Sequence, residues 1–146
     1  MEPLTAFESR HLDRRDVNSI LARNITGRIA FAAGRDIEIL PVTYVHTGNE
    51  IYLRSSASGR IATTNPSGTR VGFEVDEIQS TRRWRSVVVH GTMFRVERET
   101  EYEEWMRGVG KLRRLMPDAL RDADSLGHRS MLFRIVIDDA TGRAMA

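Results

Sequence analysis

The sequence has no cysteine, a single lysine (Lys111) and no long apolar run. Without cysteine there can be no disulfide framework, no thiolate metal site and no cysteine nucleophile. No apolar stretch approaches the roughly 20 residues that a membrane-spanning helix needs. The first 16 residues mix acidic and basic side chains, which is not typical of a signal peptide. We therefore expect a cytoplasmic protein with no membrane partner.

The charges are balanced despite a sequence pI of about 9.5. Of the 22 basic residues all but Lys111 are arginine, and the formal net charge is only +2. Residues 1–73 carry 9 basic and 7 acidic side chains, whereas residues 74–146 carry 13 of each. The high pI thus reflects the replacement of lysine by arginine and the lack of cysteine. It does not indicate a basic face, which argues against a nucleic-acid partner.

The 146 residues, 40% hydrophobic and 29% charged, are typical of one globular domain, and we assign residues 1–146 to it. Short gaps between the apolar runs favour antiparallel strands. Six such strands with few helices predict a mainly β protein, either a barrel or a sandwich. Strands are predicted over 27–33, 37–45, 50–56, 69–77, 86–97 and 131–138 (141–145 extending the last), and helices over 13–24, 58–65 and 100–116.

A serine-rich turn in residues 51–66 is the segment most suggestive of chemistry. A strand ends near Arg54, small residues follow, and the next predicted helix would offer free backbone N–H groups. Serine hydroxyls and arginine guanidinium groups beside a helix start are the usual parts of a phosphate site. A serine-capped turn with surface arginines is the alternative. The residues concerned are Arg54, Ser55, Ser56, Ser58, Gly59 and Arg60.

Two further segments carry weaker signals. Pro41 interrupts a predicted strand, and a proline cannot donate to a strand ladder, so this strand is an edge or leaves neighbouring backbone groups to a ligand. Trp84 and Ser86 stand among arginines ahead of the longest strand, which suits an anion or a stacked ring. Taken alone, the Pro41 segment favours an ordinary edge strand, and the Trp84 segment favours a solvated basic turn that the tryptophan anchors to the core.

Together these segments resemble the flavin-binding split-barrel family related to pyridoxamine 5′-phosphate oxidase, and within it the branch of nitroimidazole-resistance proteins. The matching stretches are TGRIAF, ILPVTYV, EIYLRSSASGR, VGFEVDEI and WRSVVVHGT, with a closing strand that ends in TGR. The resemblance covers about residues 12–97 and 131–144. It implies a six-stranded antiparallel split β-barrel that forms a homodimer with two flavin mononucleotides (FMN) between its subunits.

The resemblance also implies the positions of the cofactor. The isoalloxazine ring would lie along Leu40, Pro41, Val42 and Thr43, and the phosphate around the serine-rich turn. Trp84 and Ser86 match a Trp-x-Ser element that lies near the flavin in relatives, from the same or the second subunit. Relatives in this branch more often read Gly-Trp-Ser here, whereas this chain reads Arg83-Trp84-Arg85-Ser86, with Arg85 inserted. No C-terminal substrate-binding residues of the oxidase are evident, which leaves the substrate unidentified.

Three functions remain open from the sequence. The first is an FMN-dependent oxidoreductase that acts on a small molecule, with a nicotinamide as one electron donor. The second keeps the fold and binds a deazaflavin instead of FMN. The third is a non-catalytic barrel that binds a cofactor or nucleic acid. No metal site is expected, because the four histidines are far apart and lack the spacing of a metal motif.

Overall fold

The computed structural model describes residues 8–56, 59–61, 67–122, 124 and 130–146. The helix predicted over 58–65 falls largely outside these residues. The other predicted helices and all six predicted strands are confirmed within a few residues at each end. The elements are β1 Arg10–His11, α1 Arg14–Arg23, β2 Thr26–Ala33, β3 Asp36–Thr47, β4 Glu50–Ser56, β5 Thr69–Ser80, β6 Arg83–Val96, α2 Tyr102–Leu115 and β7 Ser130–Met145.

Strands β2 to β7 form a closed antiparallel ring. The sheet runs β7-β4-β3-β2-β5-β6, and a further pairing of β6 with β7 closes it. The two-residue β1 adds to the outer edge of β7 through Arg10 and His11. The β2–β3 and β3–β4 connections are short hairpin turns, in which Gly34 and Gly48 adopt φ values of 63° and 55°. The predicted six-stranded barrel is thus confirmed.

The barrel interior is filled by alternating residues of every strand. Tyr44 and Phe73, both buried, meet edge to face with ring centroids 4.9 Å apart. Helix α1 closes one end, because Val17, Ile20 and Leu21 are buried against the barrel. The Asp13 side chain caps this helix by accepting a 2.8 Å hydrogen bond from the Asp16 amide. The Tyr44 hydroxyl joins helix to barrel by donating to the Leu21 carbonyl at 2.6 Å.

Glycine at position 91 allows the long strand β6 to bend. The pairing with β7 shifts register between His90 and Gly91, as expected for a bulge in so long a strand. A Cβ atom at Gly91 would lie 2.3 Å from the Val136 carbonyl oxygen. The bend therefore requires a residue without a side chain at this point.

Helix α2 packs on the outside of the barrel over a second, smaller core that includes Tyr52, Leu112 and Leu132. Gly108 lets the helix approach closely, since a Cβ there would lie 2.6 Å from Cδ1 of Tyr52. The buried Tyr52 hydroxyl donates to Glu104 Oε1 at 2.6 Å, and Arg134 donates to the same oxygen at 3.1 Å. These contacts fix α2, and with it the turn that follows, against β4 and β7. Within the described parts of the chain, neither helix has the length and apolarity needed to cross a bilayer.

Candidate functional site

Strands β3 and β4 separate halfway along their length. They pair from Tyr44↔Leu53 to Thr47↔Glu50. Beyond this point β3 pairs with β2, up to Ala33↔Asp36, and the end of β4 pairs with β7. Among the described residues, the stretch 36–43 of β3 has no strand on its β4 side. Pro41 lies in this stretch, which agrees with the prediction that its strand is an edge at this position.

The separation opens a cleft of about 410 Å³, here called the split cleft. It brings together eight of the twelve cofactor-binding residues predicted from the sequence. They lie on both sides of the opening, four on β3 and four at and after the end of β4. The lining residues are Leu40, Pro41, Val42, Thr43, Arg54, Ser55, Ser56, Gly59, Ile61 and Met116.

The β3 side of the split cleft offers backbone groups. In an antiparallel pair, successive residues direct their N–H and C=O groups alternately toward and away from the partner strand. Because β2 pairs with one side of residues 40–43, every second residue presents its backbone groups to the split cleft. Leu40 and Val42 also pack against the barrel core. This side therefore combines an apolar wall with hydrogen-bonding groups, which suits the edge of a flat heterocycle.

The β4 side of the split cleft ends in a tight turn. The Gly59 amide donates to the Ser56 carbonyl at 2.9 Å. A Cβ at Gly59 would lie 2.9 Å from Oγ of Ser55 and 3.1 Å from the Ser56 carbonyl oxygen. Glycine thus permits this close approach of backbone and hydroxyl groups. Ser58, which the sequence also predicts to bind phosphate, lies outside the described residues.

The two arginines predicted to bind phosphate are each paired with a carboxylate. Arg54 Nε lies 3.1 Å from Oδ2 of Asp124, and the two side chains are 15% and 1% exposed. Asp124 Oδ2 also accepts a 2.7 Å hydrogen bond from the Leu120 amide. Arg60 donates to Glu38 at 2.6 Å, and its side chain is largely exposed and does not line the split cleft. The positive charge at this end is therefore partly neutralised by the protein itself.

Sequence reasoning did not identify Asp124, Glu38, Ile61 or Met116 as site residues. Met116 follows α2 directly, and Asp124 lies in the turn beyond it. No local pattern signals that this segment returns to the end of β4. The contact follows from the seating of α2 on the barrel, which depends on Tyr52 and Gly108.

Trp84 and Ser86 lie elsewhere in the same chain. Trp84 pairs with Ile78 and Met145, and Ser86 with Asp76 and Arg143. Trp84 lines a second cleft of about 330 Å³, here called the barrel-end cleft, together with Arg23, Glu77, Gln79, Arg83, Arg85, Met145 and Ala146. Neither Trp84 nor Ser86 lines the split cleft. If they contact the cofactor of the split cleft, they must come from a second subunit.

Two charged residues of the barrel-end cleft, Arg23 and Glu77, form an ion pair. Arg23 donates to both oxygens of Glu77, at 2.8 and 2.6 Å, and Asn24 donates to Oε2 at 2.7 Å. The hydrogen bonds from Arg23 lower the pKa of Glu77 to about 2. This group ties the end of α1 to β5, so its role in the fold is sufficient to explain it.

Comparison with known sequences identifies a family. A family model described as pyridoxamine 5′-phosphate oxidase matches residues 13–144, nearly the whole chain. An uncharacterised protein of Rhizobium meliloti (strain 1021), RA0666, is 32% identical over 82 residues, which cover 56% of this chain and 54% of that protein. The chain thus matches about half the length of this curated relative.

Comparison with solved structures confirms the fold. A FAD-binding protein of Mesorhizobium loti is similar with a TM-score of 0.76 at 25% identity, covering 94% of this chain and 99% of that one. A candidate 5-nitroimidazole antibiotic resistance protein of Bacteroides thetaiotaomicron gives a TM-score of 0.71 at 14% identity, covering 94% and 87%. The family resemblance drawn from the sequence motifs is therefore confirmed.

Proposed function

Because the chain belongs to the pyridoxamine 5′-phosphate oxidase family, we propose that it binds a flavin nucleotide in the split cleft and acts as a flavin-dependent oxidoreductase. One observation carries the proposal. Residues 36–43 of β3, which have no strand beside them among the described residues, lie on one side of a single cleft. Ser55, Ser56 and Gly59, here called the serine-glycine turn, lie on the other side. A flavin has the matching chemistry, a flat ring with hydrogen-bonding edges joined to a phosphate.

In this proposal the ring lies along residues 40–43, and the backbone groups directed away from β2 bind its polar edge. The phosphate lies at the serine-glycine turn, next to Ser55, Ser56 and Gly59 at the end of β4. Arg60 would contribute charge from the rim of the cleft, and Ser58 is added by family resemblance alone. The family resemblance implied FMN, whereas the M. loti relative is a FAD-binding protein. Ring, ribityl chain and first phosphate are common to both.

The reaction proposed is hydride transfer between a nicotinamide or another donor and a small molecule. When bound, a flavin supplies the redox chemistry, and the protein holds it in place. The described residues that line the split cleft include no histidine and no carboxylate. The side chains of this chain are therefore assigned to binding, to orientation and to exclusion of water by Leu40, Ile61 and Met116. The proposed location is the cytoplasm, as the sequence led us to expect.

We also propose that the protein is a homodimer. Ile37 and Ile39 on the outer face of β3 are 75% and 64% exposed. They pair with Ala32 and Ala30 of β2, which gives a flat apolar surface beside the split cleft. Isolated exposed apolar residues are common, but a contiguous group of them is typical of an interface. Under the family resemblance, a Trp84 that contacts the cofactor of the split cleft would come from this second copy.

The dimer is tested by replacing an interface residue. Ile39→Asp should convert the dimer to a monomer in size-exclusion chromatography with light scattering, and flavin affinity should fall with it. Tyr102→Asp is the matched control, since Tyr102 is 55% exposed on α2, away from this face. A native protein that is monomeric at all concentrations contradicts the proposal.

Flavin binding itself is tested with the purified protein. We expect a yellow protein with a flavin absorption spectrum, or an apoprotein that quenches flavin fluorescence at micromolar concentrations. A deazaflavin serves as a third ligand beside FMN and FAD, because the sequence leaves that cofactor open. If no chromophore copurifies and no flavin binds, the proposed function is wrong.

A further inference from the structure

The barrel-end cleft contains more positive than negative charge. Its lining includes one acidic side chain, Glu77, and three arginines: Arg23, Arg83 and Arg85. Ala146 also lines the cleft, and positive charge is still in excess when a terminal carboxylate at Ala146 is counted. Like charges that share a cleft repel one another. The arrangement therefore favours the binding of a negatively charged group.

Glu77 is already occupied by one of the three arginines. Arg23 donates to both of its oxygens, at 2.8 and 2.6 Å, and Asn24 donates to Oε2 at 2.7 Å. Arg85 lies opposite Glu77 in the β5–β6 ladder. Among the residues that the structure describes, however, the guanidinium groups of Arg83 and Arg85 form no ion pair or hydrogen bond with a side chain. These two arginines therefore keep their donors for a ligand.

Arg83 and Arg85 lie on the same face of one strand. They are two residues apart at the start of β6, so their Cα atoms are separated by about 7 Å. This part of β6 is paired on both sides, since Arg85 pairs with Glu77 of β5 and with Ala144 of β7. Two guanidinium groups at this spacing can donate to the same carboxylate or phosphate, whose geometry matches the guanidinium fork.

An apolar surface and an amide complete the barrel-end cleft. Trp84 is half-buried and pairs with Ile78 and Met145 of the neighbouring strands. The β5–β6 ladder shifts register between Ile78 and Ser80, so Gln79 is an extra residue on β5. Trp84, Gln79 and Met145 all line the cleft. The indole and thioether suit a planar apolar group, and the Gln79 amide can donate to an oxyanion.

We propose that the barrel-end cleft is a second binding site, which takes a small planar molecule that carries a carboxylate or a phosphate. Arg83 and Arg85 bind the oxyanion, and Trp84 contacts the planar group. The Arg23–Glu77 pair holds α1 against β5 and leaves the ligand to the other two arginines. This site is additional to the proposed flavin site, since none of these residues lines the split cleft.

The test uses benzoate and benzamide, which have the same planar ring and differ in charge. Trp105→Phe leaves Trp84 as the single tryptophan of the chain. Its fluorescence in the flavin-free protein then reports binding at the barrel-end cleft. We expect benzoate to bind at about millimolar concentration and benzamide at least about tenfold more weakly. Equal affinities for benzoate and benzamide, or no binding of either, contradict the inference.

Substitution of the two arginines locates the oxyanion. Arg83→Gln and Arg85→Gln should each weaken benzoate binding by about threefold to tenfold, because both guanidinium groups are exposed and partly screened. Benzamide affinity should stay the same. Arg35→Gln is the matched control, since Arg35 is exposed in the β2–β3 turn and lines neither cleft. If Arg35→Gln lowers benzoate affinity as much as Arg85→Gln does, net charge explains the binding and the inference is wrong.

Calorimetry of the native protein removes any dependence on the folding of a variant. Benzoate should again bind more tightly than benzamide. Its affinity should fall as NaCl rises from about 0.05 M to about 0.5 M, because salt screens the attraction between exposed charges. A benzoate affinity that does not depend on salt contradicts the inference.

A further titration distinguishes a free ligand from the phosphate of a flavin that a second copy holds in its split cleft. With a free ligand, protein saturated with FMN should bind benzoate as the flavin-free protein does. With a flavin phosphate, FMN should block benzoate, and Arg85→Gln should weaken the binding of FMN but not of riboflavin. Either result supports an oxyanion at Arg83 and Arg85. If no flavin binds the native protein, the proposed function fails, whereas the benzoate titration still decides the second site.

Discussion

The split cleft and the barrel-end cleft each contain an arginine–carboxylate pair, but the two pairs differ in burial. At the split cleft, Arg54 and Asp124 are 15% and 1% exposed. At the barrel-end cleft, Arg23 and Glu77 are 46% and 28% exposed. The exposed pair joins α1 to β5 and its groups are satisfied within the chain. The buried pair lies beside a strand edge whose backbone groups have no strand partner among the described residues.

This difference separates a structural role at the barrel-end cleft from the binding role that we propose for the split cleft. At the barrel-end cleft, the hydrogen bonds account for Arg23 and Glu77, and a ligand is not needed to explain this pair. At the split cleft, β3 and β4 diverge although continued pairing would satisfy more backbone groups. A fold that leaves a strand edge open beside a serine-glycine turn is expected to fill it with a ligand.

The largest effect is expected from removal of Arg54. Arg54→Ala removes the arginine of the ion pair with the buried Asp124 carboxylate, which should cost about 3–5 kcal/mol of unfolding free energy. Arg23→Ala, the matched change at the exposed pair, should cost less than about 1 kcal/mol. Urea denaturation of both variants measures the difference. Equal losses of unfolding free energy in the two variants would mean that the buried pair contributes no more to stability than the exposed pair.

A smaller loss is expected when α2 is pushed off the barrel. Gly108→Ala places a methyl group 2.6 Å from the Tyr52 ring, and such overpacking costs about 1–3 kcal/mol. Gly110→Ala meets no atom within 4 Å and should stabilise the helix by up to about 1 kcal/mol. Thermal unfolding of the two variants should therefore shift in opposite directions. A stabilised Gly108→Ala variant would contradict the seating of α2 that positions Asp124.

A moderate effect on flavin affinity is expected at the rim of the split cleft. Arg60→Ala should weaken binding by about threefold to tenfold, because a largely exposed guanidinium gives a screened contribution. Arg114→Ala, which removes an exposed arginine from the last turn of α2, controls for net charge and should leave affinity unchanged. Fluorescence titration with FMN and FAD provides the measurement. If Arg60→Ala binds the flavins as tightly as Arg114→Ala and the native protein do, Arg60 does not contribute to flavin binding.

The smallest effect is an acid-dependent contribution from the barrel-end pair. The pKa of Glu77 is lowered from 4.5 to about 2 in the folded state. The stability that this carboxylate contributes is therefore present above about pH 4.5 and is lost as the pH falls toward 2. Glu77→Gln should be less stable than the native protein by under about 1 kcal/mol near neutral pH. The difference should shrink in urea denaturation toward pH 3, and a constant difference would contradict it.

Much of the barrel could be predicted from the sequence because its signals are local. Alternating apolar residues mark the strands, Gly34 and Gly48 mark the turns, and Pro41 marks an edge. The residues on both sides of the split cleft could also be predicted, since each lies within one of two short segments.

The remaining features depend on long-range packing. Asp124 is far from Arg54 in the sequence, and their contact requires the seating of α2. Gly108 and Gly110 look alike in the sequence, although only the first meets a neighbouring side chain. Trp84 lies apart from the split cleft in one chain, so its proposed contact depends on a second subunit that the sequence cannot position.

The most direct test of the binding role is a crystal structure of the protein grown with FMN or FAD. We predict that the ring lies along Leu40–Thr43 and that its first phosphate lies at the Ser55–Gly59 turn. The Arg23–Glu77 pair should remain unchanged. A flavin bound in the barrel-end cleft, with the β3 edge still exposed to solvent, would contradict the account.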